Sequence, residues 1–286
     1  MNQADEQQLI QWLFATDALR VAPADQPFWY TSGTFGPYYI NTHFLYGSEQ
    51  EASVLLALIE KTDPVDLPGL LAETVMRQYE QNRIYRSLMD LLTQQVRPYA
   101  FDFISGGARR DFFFSICAAR ILSKPHLSLF KDQTAVYSTG GFGDSRRMTG
   151  RALAGQSAMH VADLVTEASS YRRAWLPGIE RLGAAMPRTV AVVDRNQHGR
   201  AVLAAAGTQL DSLVTISPAL FDRACAAGLI NEAQKDQVLS FTRDPDCYMK
   251  TFLARYPAFL QEQLALGGQN RERAERCLAQ GYGQVL

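Results

Sequence analysis

This sequence has little of several things that would narrow its class at once. Its four cysteines (Cys117, Cys225, Cys247, Cys277) lie far apart and form no C-x-x-C pair. The four histidines, at 43, 126, 160 and 198, make no cluster with ligand spacing. A structural zinc site is therefore not expected, and reduced thiols in a cytoplasmic setting are the default reading. No apolar run approaches the roughly 20 residues that span a bilayer. The opening Met1-Asn2-Gln3-Ala4-Asp5-Glu6 is polar and acidic, unlike a signal peptide. Neither charge is in excess: 28 Lys and Arg against 29 Asp and Glu leave a formal net charge of −1. That gives no global reason to expect nucleic acid or an anionic membrane as partner.

What is present is ordinary in bulk and specific in one place. The 286 residues are 47% apolar and 20% charged, enough for one large domain or a domain with an annex. The specific place runs from Ala158 to Arg195. A short apolar strand, Met159-His160-Val161-Ala162, ends on Asp163. A turn of small and hydroxyl residues (Thr166 to Ser170) follows, and then a helix with Ser169 or Ser170 as N-cap. A second strand, Thr189 to Val193, ends on Asp194-Arg195. Strand, polar turn, helix, strand is the unit of a parallel sheet, whose strand ends hold ligands. Free N–H groups at a helix start favour an anion, typically phosphate.

At these residues the sequence resembles a known family. Val161 to Ser170 is similar to the phosphoribosyl-diphosphate (PRPP) loop of type I phosphoribosyltransferases. The strand ending Val-Val-Asp-Arg, with Gly199-Arg200 and Ala206 to Leu210 after it, resembles orotate phosphoribosyltransferase. The likeness covers roughly residues 8–216. It implies an α/β fold, a parallel sheet flanked by helices, with an N-terminal hairpin hood and, here, a C-terminal helical annex. It also implies a glycosyltransferase of pyrimidine biosynthesis, a cytoplasmic homodimer, small-molecule ligands (PRPP and orotate or a similar anionic base) and Mg²⁺ if transfer is active.

The chain divides by composition into four parts: an N-terminal helix and hood over 1–47, a helical insertion over 48–100, a core over 101–216 and an annex over 217–286. Leu9, Ile10, Leu13 and Phe14 form a helical stripe. In Phe28 to Asn41, Ser32-Gly33 and Gly36-Pro37 are turn signals between aromatic strands, which predicts a hairpin. By the resemblance Tyr38 and Tyr39 flank a flat base; as plain hairpin aromatics they pack on a core instead. The insertion reads as helices over Ala52–Lys61 and Leu70–Val96, broken at Pro64 to Pro68. An added dimer surface and a lid support are both open for it. After Ile216, Ser217-Pro218 opens a helix that Gly228 closes, and Asn231 and Asp244 are N-caps for two more, at 232–242 and 245–255. The annex packs on the sheet domain or on a partner subunit.

Phe101–Ser105, Leu127–Lys131, Met159–Asp163 and Thr189–Val193 are the expected adjacent core strands, with Asp211 to Ile216 as the last. Gly106-Gly107-Ala108-Arg109-Arg110 follows the first of them. Glycines there permit close backbone approach to a diphosphate. By the resemblance this turn binds diphosphate and Arg110 is its basic residue; otherwise the two arginines are solvated or pair with Asp111. Asp132 to Arg151 is a polar, glycine-rich stretch of loop length, expected to be the least ordered internal segment. The resemblance makes it the flexible catalytic loop, with Lys131 at its base. No lysine lies within it, and Arg146, Arg147 and Arg151 are poor substitutes for a point ammonium charge. Tyr171 to Met186 is expected to be helix, kinked at Pro177-Gly178.

Phosphoribosyl transfer, as the resemblance implies it, needs two acidic groups for the ribose hydroxyls and a hydroxyl-rich turn for the 5-phosphate. It passes through an oxocarbenium-like sugar, so charge placement matters most. Asp163 stands at the second acidic position, and Thr166, Ser169 and Ser170 supply hydroxyls. Ala162 replaces the first acid, Ala168 stands where glycine is usual, and Glu167 either points out or pairs with Arg172. Arg195 matches the arginine that meets the base carboxylate as a fork; alternatively Asp194 and Arg195 form a structural ion pair. Two function classes follow, an orotate-type transferase and a catalytically silent ligand-binding or regulatory protein on the same fold.

Overall fold

The structure is a computed structural model and describes residues 3–283. The chain opens with α1 (Gln3–Ala15) and four short strands, β1 (Leu19–Val21), β2 (Phe28–Trp29), β3 (Phe35–Gly36) and β4 (Tyr38–Ile40). A 3-10 turn over Thr42–Tyr46 leads into α2 (Glu49–Lys61), α3 (Leu67–Gln81) and α4 (Arg83–Val96). Next come β5 (Phe103–Gly107), α5 (Phe112–Ile121), β6 (His126–Leu129), β7 (Ala135–Ser138) and β8 (Ser145–Arg147). They are followed by β9 (Ser157–Val165), a π turn at Tyr171–Trp175, α6 (Leu176–Arg181), β10 (Ala185–Asp194), α7 (Gly199–Ala205) and β11 (Gln209–Thr215). Helices α8 (Pro218–Ala226), α9 (Glu232–Arg243), α10 (Pro245–Arg255), α11 (Phe259–Leu266) and α12 (Gly268–Ala279) complete the chain. Among the described residues no helix is long and apolar enough to cross a membrane.

Two compact units result. One joins the residues up to Ala18 with Thr42–Ser217; the other joins Leu19–Asn41 with the residues from Pro218 onward. This partition differs from the four-part division by composition.

In the first unit the described residues form a seven-stranded sheet in the order β11-β10-β9-β5-β6-β7-β8. The five strands from β11 to β6 are parallel, and β7 and β8 run antiparallel at the edge. The four expected core strands are adjacent, as the sequence pattern requires. Val190 to Val193 are all buried, as in a strand covered on both faces. Helix α5 carries Phe112, Phe113 and Phe114 fully buried, so it is apolar all round and lies inside the unit. The result is a mostly parallel sheet flanked by helices, the fold class that the resemblance implies.

Three local expectations are corrected. The stretch from Asp132 to Arg151 is not an open loop, because β7 and β8 pair as a hairpin and extend the sheet. Ala135-Val136-Tyr137 supplies strand-forming residues, and Ala135 and Val136 are buried. The long helix expected over Leu70–Val96 is broken at Asn82, whose extended backbone ends α3 and whose side chain accepts from the Tyr85 N–H to cap α4. The helix after the hydroxyl turn stops at Arg181, and Ala185 already belongs to β10.

In the second unit β2 and β3 pair as the expected hairpin, while β4 pairs with β1. Their aromatics share a core with the C-terminal helices: Trp29 stacks on Phe259 at 5.6 Å and Phe35 meets Phe252 edge-on at 5.1 Å. Asn231 and Asp244 cap α9 and α10 through their side chains, as their positions in the sequence predict.

Candidate functional site

A cavity of about 380 Å³ opens in the first unit at the ends of β5, β6 and β9. Its lining is the turn Gly107–Asp111, Lys131, the stretch Ala162–Tyr171, and Trp175. Carboxyl ends of parallel strands are where such sheets hold ligands.

The first wall is the turn between β5 and α5. Its Ala108–Arg109 peptide is cis. Gly106 and Gly107 lie in the strand itself, and their missing side chains are explained by packing. A Cβ on Gly106 would overlap the Ser115 hydroxyl, and one on Gly107 would overlap the Trp175 ring. Asp111 fastens this turn: its Oδ2 accepts from the Gly107 N–H at 2.9 Å, and its Oδ1 accepts from the Asp163 N–H of β9 at 3.0 Å. One carboxylate thus ties two strand ends together. Neither arginine pairs with Asp111 as the sequence allowed: Arg109 forms an ion pair with Glu60, and Arg110 is half-buried in the cavity lining.

The second wall is Thr166 to Ser170. The N–H groups of Gly199 and Arg195 hold it by donating to Thr166 O (3.0 Å) and Val165 O (2.8 Å). Ala168 adopts φ +53, the left-handed region that glycine takes without cost. The glycine geometry of this turn is therefore kept with alanine in place. Among the described residues, the hydroxyls of Thr166, Ser169 and Ser170 have no protein partner. Ser170 makes no side-chain capping bond. Glu167 is exposed, as one of its two expected placements requires.

The floor is acidic. Asp163 is 7% exposed and Asp111 8%. Burial, and then the neighbouring Asp111 charge, raise the Asp163 carboxyl well above its usual 3.8, opposed by Arg110 and by the Leu164 N–H. Behind them His160 is fully buried, with Nδ1 2.9 Å from Ser105 Oγ and Nε2 3.5 Å from Asp111 Oδ2. Serine, histidine and aspartate in line look like a nucleophile relay, but Ser105 is fully buried in β5 and meets no substrate. The His160 ring packs edge-on against Tyr171 at 4.9 Å, whose hydroxyl bonds Thr189.

The structure brings Gly107, Arg110, Lys131, Asp163, Thr166, Ser169 and Ser170 to this one cavity. Arg195, Tyr38 and Tyr39 do not line it. Arg195 is half-buried just past β10. Its expected ion pair with Asp194 is replaced by another: Asp194 Oδ2 accepts from Arg200 at 2.9 Å and Oδ1 from the Asn196 N–H at 2.8 Å. Tyr38 and Tyr39 belong to the second unit. Tyr38 is 3% exposed, with its ring against Phe221 and Phe241 of that unit. Tyr39 is half-buried beside Phe28 and Tyr30. Asp111 and His160 were not singled out as site residues. Their signals were a histidine within an apolar strand and an acid directly before an apolar helix.

The residues do not fit a resident Mg²⁺. Such an ion takes one or two carboxylates besides phosphate oxygens. Both Asp111 oxygens already accept backbone N–H groups, burial pushes the Asp163 carboxyl well above its usual range, and Ala162 offers a methyl. Among the described residues no three His, Cys, Asp or Glu side chains converge to hold a metal ion.

No protein family description matches the chain, and no curated protein matches it. Solved structures do. The chain is similar to UMP synthase from Leishmania donovani, with a TM-score of 0.51 and 16% identity over 82% of this chain, and it spans 41% of that protein. It also matches orotate phosphoribosyltransferases from Francisella tularensis (TM-score 0.49, 12% identity, 82% of this chain and 98% of that one) and Aeropyrum pernix (0.44, 20%, 77% and 99%).

Proposed function

We propose that this chain is a ligand-binding protein on the phosphoribosyltransferase fold, that it takes a phosphorylated pentose of the PRPP type in the cavity above β5, β6 and β9, and that it transfers that pentose slowly or not at all. The observation that carries the reading is the cavity wall itself. Unpartnered hydroxyls of Thr166, Ser169 and Ser170 share one space with Arg110 and Lys131, a lining suited to an anionic, oxygen-rich ligand. Against rapid transfer stand Ala162 in place of an acid, the exposed Glu167 at a phosphate turn, and a carboxyl floor without a fit for Mg²⁺. A glycosyl cation needs fixed negative charge beside it, and burial of the Asp163 carboxyl disfavours that charge.

The second reading, transfer of phosphoribosyl from PRPP to orotate with Mg²⁺ as in pyrimidine biosynthesis, is favoured by Arg195. Its N–H is bonded to Val165 at the end of β9, and its guanidinium is a fork suited to a carboxylate. Both readings carry a cytoplasmic homodimer, testable by sedimentation at micromolar concentration. Calorimetry with PRPP and with orotate, each with and without Mg²⁺, beside an assay for orotidylate, separates them. The binding reading expects PRPP to bind and orotidylate to form slowly or not at all. Rapid orotidylate formation overturns it in favour of the transferase.

A further inference from the structure

A second cavity, of about 530 Å³, lies in the first unit between α1 and α4 and shares no lining residue with the first. It is a groove between two helices. From α1 it is lined by Asp5, Gln8 and Trp12, and from α4 by Ile84, Ser87, Leu91 and Gln94. Both sets step by threes and fours, the spacing of a stripe that packs against another helix. On α4 this stripe is additional to the face already buried in the unit, which holds Tyr85, Leu88, Met89, Leu92 and Val96. Trp12, Ile84 and Leu91 are only half-buried, so apolar surface stays open along the groove.

The charges identify the occupant. Arg83 and Asp90 also line the groove, seven residues and so two turns apart on one side of α4, and both are exposed. Asp90 accepts the Tyr79 hydroxyl through Oδ1 at 2.6 Å, which leaves Oδ2 for a further donor. Arg83 opens α4, where the helix dipole disfavours a cation, and no acid stands in that first turn. The other groups nearby are already engaged: Arg86 donates to the carbonyls of Tyr79 and Glu80, and Asp5 has a partner of its own. A stripe that is cationic at its start and anionic two turns later is complementary to itself in the reverse direction. Laid antiparallel about a two-fold axis beside Ser87, α4 sets Arg83 against the partner's Asp90, and the partner's Arg83 against Asp90. Ile84 and Leu91 then lie between the two ion pairs, with a small side chain at the crossing.

We propose that α1 and α4 form the docking surface for a second copy of this chain, with the two α4 helices antiparallel. This assigns a surface to the homodimer put forward above, and it holds whatever the first cavity binds.

The test is sedimentation of the full chain at micromolar concentration, on wild type, Arg83→Asp, Asp90→Arg and an equimolar mixture of the two variants. Wild type should sediment as a dimer. Each variant alone sets like charge against like at both contacts, and its dimer dissociation constant should rise by at least about tenfold. The mixture restores opposite charges at both contacts, so the dimer should return, which an unfolded variant could not achieve. Ser87→Arg puts a bulky cation at the crossing and should stay monomeric, with circular dichroism unchanged from wild type. A monomeric wild type overturns this inference together with the homodimer. A dimer that both charge variants leave intact, or a mixture that stays monomeric, overturns this inference alone and leaves the homodimer to another surface.

Discussion

Strands β9 and β10 lie side by side, and each presents an aspartate at or near its carboxyl end. Asp163 and Asp194 are both buried, at 7% and 1% exposure. Their surroundings are opposite. The turn after β5 brings Asp163 a second carboxylate, while α7 brings Asp194 the Arg200 guanidinium and the chain beyond β10 adds the Asn196 N–H. Position at a parallel strand end therefore does not set a carboxylate's chemistry; the connection that folds back onto it does. An acid whose carboxyl is pushed up by burial lies on the cavity floor, and an acid satisfied by protein donors lies outside the cavity lining.

The largest expected effect is on stability in acid. Burial holds His126 down to about 3, and burial with Arg110 and Arg109 does the same to His43. Between about 6.5 and 3 the unfolded chain binds protons that the native chain refuses, so stability falls with pH by roughly 1.4 kcal/mol per unit for each histidine. Asp163 works in the opposite sense. Its raised carboxyl contributes stability that is complete below 3.8 and lost as pH rises through its folded value. Urea midpoints from pH 4 to 6.5 should show a steep acid loss in wild type and a shallower one in His126→Gln. Equal slopes would mean that His126 is not buried neutral.

Next comes Asp111→Ala, which leaves the Gly107 and Asp163 N–H groups without acceptors and should cost about 3 kcal/mol in chemical unfolding. A loss under about 1 kcal/mol would show that this carboxylate does not tie the strand ends. Asp194→Asn should cost about 2 kcal/mol. The amide oxygen can still accept from Asn196, and Arg200 is half exposed, so water recovers part of its share. Ala168→Gly is the smallest, a gain of about 1 kcal/mol from relieving a left-handed alanine. A loss instead would mean that the alanine methyl, buried in the core cluster, contributes more by packing than its backbone costs.

Much of the sheet was legible in the sequence. Apolar runs ending on Asp163 and Asp194 identify parallel strands, and Asn231 and Asp244 announce their helices by side-chain chemistry alone. The hairpin of β7 and β8 was not, because glycines and charges around Phe142 outweigh a four-residue strand signal in any reading by composition. Nor was Tyr38's burial: its partners Phe221 and Phe241 lie some two hundred residues away, and no local pattern announces such contacts. At the site, Arg110, Lys131, Asp163 and the hydroxyl turn were legible because they are local to two strand ends. The contact of Asp111 with Asp163 was not, since it joins residues 52 apart through a backbone hydrogen bond.

The central claim is that burial, and then the Asp111 carboxylate folded against it, hold the Asp163 carboxyl well above its usual range. Carboxyl-carbon NMR titration of the full chain, with the Asp163 resonance assigned through its loss in Asp163→Asn, reads this directly. The account predicts an Asp163 midpoint well above 3.8. An Asp163 midpoint at or below 3.8 would contradict it.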